Sequence, residues 1–221
     1  MDRSRRGSAI RLNFDTQEQL DAFLKTPYRY SKEVGIAPGK YTFRVALGSG
    51  EAGFGRVEKP LEVPAWNGQT LSVSGLAVSR DAHPLAGLMA GLDSSWLDGP
   101  RILATKGMAV VPMAATRFQQ SDKGLFYFEV YEPGLAQPAQ TAKPPIANMR
   151  VLVLDRATGR QIDDSGTMSA AGWMRPGNPA IPIGRGLPVA TLSAGAYTLE
   201  VRVTRGNEQE AVVRTADFDV E

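Results

Sequence analysis

The sequence contains no cysteine. Disulfides, thiol catalysis and cysteine-ligated metal are therefore excluded, although the compartment is left open, because many exported bacterial domains also do without cysteine. Histidine is nearly absent too. His83 stands alone, followed by Pro84, and without a second imidazole or a thiol neither a familiar triad nor a zinc site can be assembled around it. No apolar run approaches the roughly 20 residues a membrane helix needs, so membrane insertion is not expected. The opening stretch, Met1-Asp2-Arg3-Ser4-Arg5-Arg6, has no apolar core behind it, and no signal peptide is expected in this chain. If the protein is exported, the chain is then a fragment of something longer. Charge of one sign is lacking as well. Twenty-five Lys and Arg against 23 Asp and Glu leave +2, which gives no strong pull towards nucleic acid or an acidic membrane. Arg3, Arg5, Arg6 and Arg11 form a short basic arm, read here as a frayed, solvated terminus.

The motifs of common chemistry are missing in the same way. No nucleophile elbow, phosphate loop, dinucleotide fingerprint or EF-hand spacing occurs, and Gly184-Arg185-Gly186 is too short to count. The sequence therefore points to no catalytic residue and no cofactor, and the expectation is that the protein is not an enzyme.

What remains is an ordinary globular composition. Of 221 residues, 43% are apolar and 22% charged, enough for one large domain or two small ones. The 23 Gly and 15 Pro suit many short strands joined by many turns.

The decisive feature is an internal repeat. Residues 36–47 read IAPGKYTFRVAL and residues 192–203 read LSAGAYTLEVRV. Gly39 maps to Gly195, Tyr41 to Tyr197 and Val45 to Val201 at a constant offset. Tyr41, Phe43, Val45 and Leu47 alternate with Thr42, Arg44 and Ala46; Tyr197, Leu199, Val201 and Val203 do the same. Such period-two alternation predicts a strand with one buried face. Each copy then passes a polar turn into a second strand, ending PLEV (60–63) or DFDV (217–220), most simply a β-hairpin. The Gly-x-Tyr entry suits a tyrosine corner, in which the ring is buried and its hydroxyl bonds back to nearby backbone; that device belongs to the penultimate strand of immunoglobulin-like sandwiches.

The fold expected is therefore all-β, tandem immunoglobulin-like or fibronectin III-like sandwich units with one short helix near the N-terminus. Residues 1–64 would be an N-terminally truncated unit and 65–221 a fuller domain with long irregular loops. In the first unit Ile10, Leu12 and Phe14 predict a strand. Asp15 or Thr16 caps a helix carrying Leu20, Phe23 and Leu24, and Tyr28, Tyr30, Val34 and Ile36 predict another strand. Half a sandwich leaves Tyr41, Phe43 and Val45 on an apolar face that, at about 25 cal/mol per Å², should not stay wet. The helix at 15–25, the second unit or a second chain is expected to cover it, so self-association through this unit is one expectation.

In the second unit, PAWNGQT (64–70) reads as a linker with an Asn-Gly turn, and the slip of phase at Gly75 predicts a bulge. Residues 81–115 lack periodicity and read as a long irregular connection. Strands are expected at 116–119, 125–131 and 149–154, an exposed loop at 133–145, and at most short strands over 163–187. Asp163-Asp164-Ser165-Gly166-Thr167-Met168 resembles the adhesion motif that offers hydroxyl and carboxylate oxygens to a hard cation. Neither the preceding parallel strand nor the following helix is predicted, so an Asp/Ser/Gly turn between strands is the preferred reading. Trp66, Trp96 and Trp173 lie in predicted loops. They are expected to pin those loops, with Trp173, beside Met174, Arg175 and Pro176, the best candidate for ligand contact. Trp173, Arg175 and Trp96 are the candidate contact residues.

Several stretches together resemble the C-terminal region of bacterial secreted proteins related to von Willebrand factor A. They are YRYSKEVGIAPGKYTFRVAL (28–47), PLEVPAW (60–66), LSVSGLAVS (71–79), the run from Arg117 through LFYFEVYEP to Pro133, and LSAGAYTLEVRV with the final ADFDV. The resemblance implies an exported, extracytoplasmic bacterial protein with immunoglobulin-like modules. The partner expected is an unknown protein or other domains of a longer parent protein. It carries over no catalytic or binding residue, because the family's adhesion motif belongs to a domain not seen here. A structural or protein-interaction module is the leading functional expectation. A carbohydrate-binding module using the loop tryptophans is the alternative.

Overall fold

A computed structural model of the chain describes residues 11–25, 34–49, 53–85, 102–136, 146–175, 177–206 and 208–221. The chain divides into two compact units, 1–32 and 33–221. In the first, helix α1 (Gln17–Leu24) begins where the capping signal puts it. Thr16 Oγ1 accepts the Gln19 backbone N–H at 3.2 Å, and the Gln19 side-chain oxygen accepts the backbone N–H of Asp15 at 2.9 Å. The first bond satisfies a donor that the first turn would otherwise leave orphaned, and the second ties the residue before the cap to the helix. The strand expected over 10–14 does not form in the described part: Leu12 and Phe14 are irregular, and Ile10 lies outside the described residues. Val34 and Ile36 are irregular as well, with Tyr28 and Tyr30 outside the described residues. Alternation supplies a face, but a strand also needs a ladder partner for its backbone groups.

The second unit is built of strands. β1 (Gly39–Ser49) and β2 (Gly53–Val63) form an antiparallel ribbon of eleven continuous pairs, from Gly39 opposite Val63 to Ser49 opposite Gly53. The remaining strands are β3 (Ser72–Val73), β4 (Ala77–Ser79), β5 (Ala82–Pro84), β6 (Leu103–Thr105), β7 (Met108–Val110), β8 (Arg117–Phe118), β9 (Leu125–Tyr131), β10 (Ala147–Asp155), β11 (Gln161–Ser169), β12 (Ala180–Gly186), β13 (Gly195–Arg205) and β14 (Val212–Val220). One sheet has the order β11-β10-β13-β14-β8, antiparallel except where β8 joins β14 in parallel. The facing sheet has the order β12-β9-β3, with β4 following β3 along the same strand β9. The core lies between them. Phe126, Phe128 and Val130 of β9 and Ile181 and Ile183 of β12 meet Met149 and Val153 of β10, Leu199, Val201 and Val203 of β13, and Phe218 of β14, all buried. Each such side chain contributes about 1.5–3 kcal/mol on leaving water.

The repeat is real in three dimensions. Tyr197 donates its hydroxyl to the Ser193 carbonyl at 2.8 Å, and Tyr41 to the Ala37 carbonyl at 2.7 Å, four residues back in both cases. Each ring lies over the glycine two positions earlier: a Cβ on Gly195 would sit 3.4 Å from the Tyr197 hydroxyl, and one on Gly39 3.3 Å from the Tyr41 ring. Opposite the tyrosines stand Leu61 and Phe218, so the second strands also align as the sequence repeat aligned them. With β13 as the strand that opens at a tyrosine corner, the sheet β11-β10-β13-β14 takes the C′-C-F-G order and β3/β4-β9-β12 the A-B-E order of such sandwiches. The fold is an immunoglobulin-like sandwich.

Four loop expectations change. Residues 81–115 are not simply irregular: β5, β7 and β6 form a small sheet, and β6 and β7 join through Lys106-Gly107, both at positive φ (46° and 77°), the geometry of a tight hairpin turn. Residues 163–187 carry two full strands, β11 and β12, rather than short pieces. The Asp163–Met168 stretch lies inside β11, not in a turn between strands, and Ser165-Gly166 forms a bulge opposite Val151 with Gly166 at φ 64°. The loop after Pro133 is not wholly exposed, because a 3-10 turn at Pro133–Leu135 buries Leu135. The other two turn readings hold. Asn67 Oδ1 accepts from the Gln69 and Thr70 N–H groups, and three residues (74–76) oppose two on β9 between the pairs Val73–Val130 and Ala77–Tyr127.

Candidate functional site: an apolar face on the first hairpin

The residues singled out for ligand contact do not converge. Trp173 ends the 3-10 turn Ala171–Trp173 between β11 and β12 and is half-buried against the core. The ammonium of Lys106 sits 3.9 Å above its ring, so one face is occupied. Its indole N–H is buried without a hydrogen-bond partner. Arg175 is exposed and closes a tight turn with Asn178. Trp96 lies outside the described residues. Trp66 is exposed, but its indole N–H donates to the Thr70 carbonyl at 3.1 Å and its ring packs 5.6 Å from Tyr131, which fastens the 64–70 linker to β9.

Two carboxylates that sequence reasoning missed are buried. Glu129 lies between Tyr127 and Tyr131 on the outward row of β9 and accepts both hydroxyls, Tyr127 at 2.8 Å. It borders a hollow of about 190 Å³ with Ile102, Asn178 and Pro182. Glu132 accepts from Arg205 twice, at 2.7 and 2.8 Å, and from the Gly134 N–H at 2.9 Å, beside a hollow of about 550 Å³ that reaches Gln69. The Glu132 contact holds the Arg205 guanidinium above its ordinary pKa. Both acids are spent on internal bonds. Asp164 is spent likewise: it accepts from Arg150 and from the Gly166 N–H, and Arg150 draws its carboxyl down to about 2. His83 meets Asp81 at 3.0 Å on the surface. Among the described residues no three His, Asp or Glu side chains are placed to hold a metal.

The first hairpin offers something different. Tyr41, Phe43, Val45 and Leu47 of β1 share one face with Val57, Lys59 and Leu61 of β2, because directly opposed residues of a ladder point the same way. The six apolar members are between 38% and 62% exposed. Their counterparts Tyr197, Leu199, Val201 and Val203 are between 0% and 6% exposed. The same sequence pattern thus builds a core in one place and an open apolar surface in the other. The back of the ribbon is charged over most of its length, with exposed Phe54 near the hairpin tip. Lys40 faces Glu62 at 3.9 Å, Arg44 faces Glu58 at 2.5 Å, and Arg56 also reaches Glu58. The hydrogen bond from Arg44 holds the Glu58 carboxyl below its usual range. One difference stands out: the edge of β13 away from β14 is paired along its length by β10, whereas among the described residues β1 pairs with β2 alone.

No family model matches the sequence, and no curated protein matches it. Among solved structures, the chain is similar to an immunoglobulin-like protein from Pseudomonas aeruginosa, with 12% identity and a TM-score of 0.31, over 71% of this chain and all of that one. It is also similar to a family 123 glycoside hydrolase from Clostridium perfringens, with 12% identity and a TM-score of 0.31, over 69% of this chain and 27% of that one. The sandwich assignment stands on strand order and the tyrosine corner, not on these likenesses.

Proposed function

We propose that the chain is a non-catalytic interaction module of an exported bacterial protein, and that the apolar face of the first hairpin is its contact surface. In this reading residues 65–221 are the complete immunoglobulin-like domain and residues 1–64 an incomplete unit that reaches completion through a partner protein. The resemblance to secreted proteins related to von Willebrand factor A supports export. The observation that carries the reading is the exposure of Tyr41, Phe43, Val45, Leu47, Val57 and Leu61 on one face. Such a patch amounts to roughly 500 Å², at the upper end of what monomeric proteins leave open. No coplanar pair of exposed tryptophans stands among the described residues to favour sugar stacking instead.

The test separates contact surface from core. Replacing Leu47 and Val57 with Ser should abolish binding of the apolar dye anilinonaphthalene sulfonate and leave the melting temperature within about 2 °C. A collapse of the melting temperature would make the face part of the folding core and end the proposal.

A further inference from the structure

We infer that the open edge of β1 pairs antiparallel with the β1 edge of a second copy, centred on Phe43, to form a four-stranded sheet. The inference rests on the contact-surface reading above and adds that two ribbons join edge to edge, so that their apolar faces form one continuous surface.

The state of the other edges is the first argument. Proteins blunt sheet edges with proline, bulges, unpaired charges or short strands, because an unpaired ladder is a template for another chain. Among the described residues, every edge strand but one is blunted. β2 carries Pro60, β12 carries Pro182 and β5 carries Pro84; β11 is broken by the bulge at Ser165-Gly166; β3, β4, β6 and β8 are two or three residues long. β1 runs eleven residues with neither proline nor bulge, and its two charges, Lys40 and Arg44, are neutralised by Glu62 and Glu58 of β2.

The second argument is register. With Phe43 opposite the second copy's Phe43, Tyr41 meets Val45, Thr42 meets Arg44, Lys40 meets Ala46 and Gly39 meets Leu47. Apolar residues oppose apolar ones and no like charges face each other. Moving the centre to Thr42 sets Lys40 against Arg44, and moving it to Arg44 sets Arg44 against itself, both unfavourable. Moving it by half a step flips one apolar face against the other's polar side. Centring on Val45 also avoids like charges, but it replaces the pairs Phe43–Phe43 and Tyr41–Val45 with Val45–Val45 and Phe43–Leu47 and sets Tyr41 against Ser49, so the aromatic pairing favours Phe43 as the centre. Energetically, a lone two-stranded ribbon is marginal in water, whereas four strands with a common apolar face are not.

The absence of native cysteine makes the test clean. The intact chain is expected to be a dimer by sedimentation velocity. Phe43→Cys should form an intermolecular disulfide on mild oxidation, since opposed Cα atoms lie about 4.5–5.5 Å apart, within disulfide reach. Leu47→Cys should not, because its two copies would be about 27 Å apart along the paired strands. A chain that stays monomeric up to about 100 μM overturns the inference, as does cross-linking of Leu47→Cys equal to that of Phe43→Cys. If the monomer still binds the dye through Leu47 and Val57, the contact-surface reading survives the loss of this one.

Discussion

Arg205 on β13 grips the carboxylate of Glu132, a residue with no exposed surface, through two parallel bonds of 2.7 and 2.8 Å. A buried carboxylate is tolerable only while its partners remain, so losing the cation is worse than losing the pair. Arg205→Met is expected to cost about 3 kcal/mol, lowering the melting temperature by roughly 6–12 °C. Adding Glu132→Gln should recover much of that loss. Thermal unfolding by circular dichroism checks both; a double variant no better than the single one would place the damage in packing rather than charge.

The two tyrosine corners should respond unequally. Tyr197→Phe removes the hydroxyl of a ring that is only 6% exposed from the Ser193 carbonyl and should cost about 1 kcal/mol. Tyr41→Phe removes the same bond, but the Tyr41 ring is 38% exposed and water can re-bond the Ala37 carbonyl, so the cost should stay under about 0.5 kcal/mol. Urea midpoints at constant m-value decide it; equal costs would mean that Tyr41 is also part of a packed core in solution.

Acid should find the Arg150–Asp164 pair. Asp164 has its carboxyl lowered from 3.8 to about 2, chiefly by the hydrogen bond from Arg150 and then by the Gly166 N–H. A depressed carboxyl stabilises the fold above its unfolded value, and that contribution fades as pH falls towards the folded value. Asp164→Asn should therefore flatten the dependence of melting temperature on pH between about 4 and 2 and leave the neutral-pH slope unchanged. An unchanged acid slope would mean the pair is not formed in solution.

Gly184 on β12 marks where the small sheet closes on the sandwich. A Cβ there would drive into the Thr105 side chain, whose hydroxyl donates to the Pro182 carbonyl at 2.8 Å. Gly184→Ala is expected to cost about 1–3 kcal/mol. Gly186→Ala, where a Cβ meets open space, is the neutral control. Equal melting temperatures for the two variants would show that the small sheet is loose.

Legibility in the sequence followed burial. The repeat hairpins, β9 and β10 were readable because one face of each alternates apolar residues, and the capping box and the Asn-Gly turn were readable because their chemistry is local. β11 was not: as an edge strand with both faces largely wet it needs no alternation, and its bulge breaks the period. β12 hides behind Pro182, Gly184 and Gly186, which punctuate loops elsewhere, and the strands of the small sheet are too short to show a period. Alternation also misled, since Leu12 and Phe14 have the pattern but no ladder partner. The candidate contacts fared as strand signals could not help them to: nothing in the chain announces that Lys106 covers Trp173 or that Glu132 meets Arg205, 73 positions away. The open face of β1 was written in the alternation itself; its exposure depends on a neighbour the alternation does not encode.

The strand order has a kinetic consequence. β10, β11, β13 and β14 lie within residues 147–220 and pair among themselves, whereas β8 reaches β14 across about a hundred residues and β3 reaches β9 across more than fifty. Closing long loops costs entropy before any contact repays it. The four-strand array β11-β10-β13-β14 should therefore assemble in the rate-limiting step, with the strands from the first half of the sandwich arriving downhill of it. Truncating Val201 should slow refolding, while truncating Val73, equally buried, should mainly hasten unfolding.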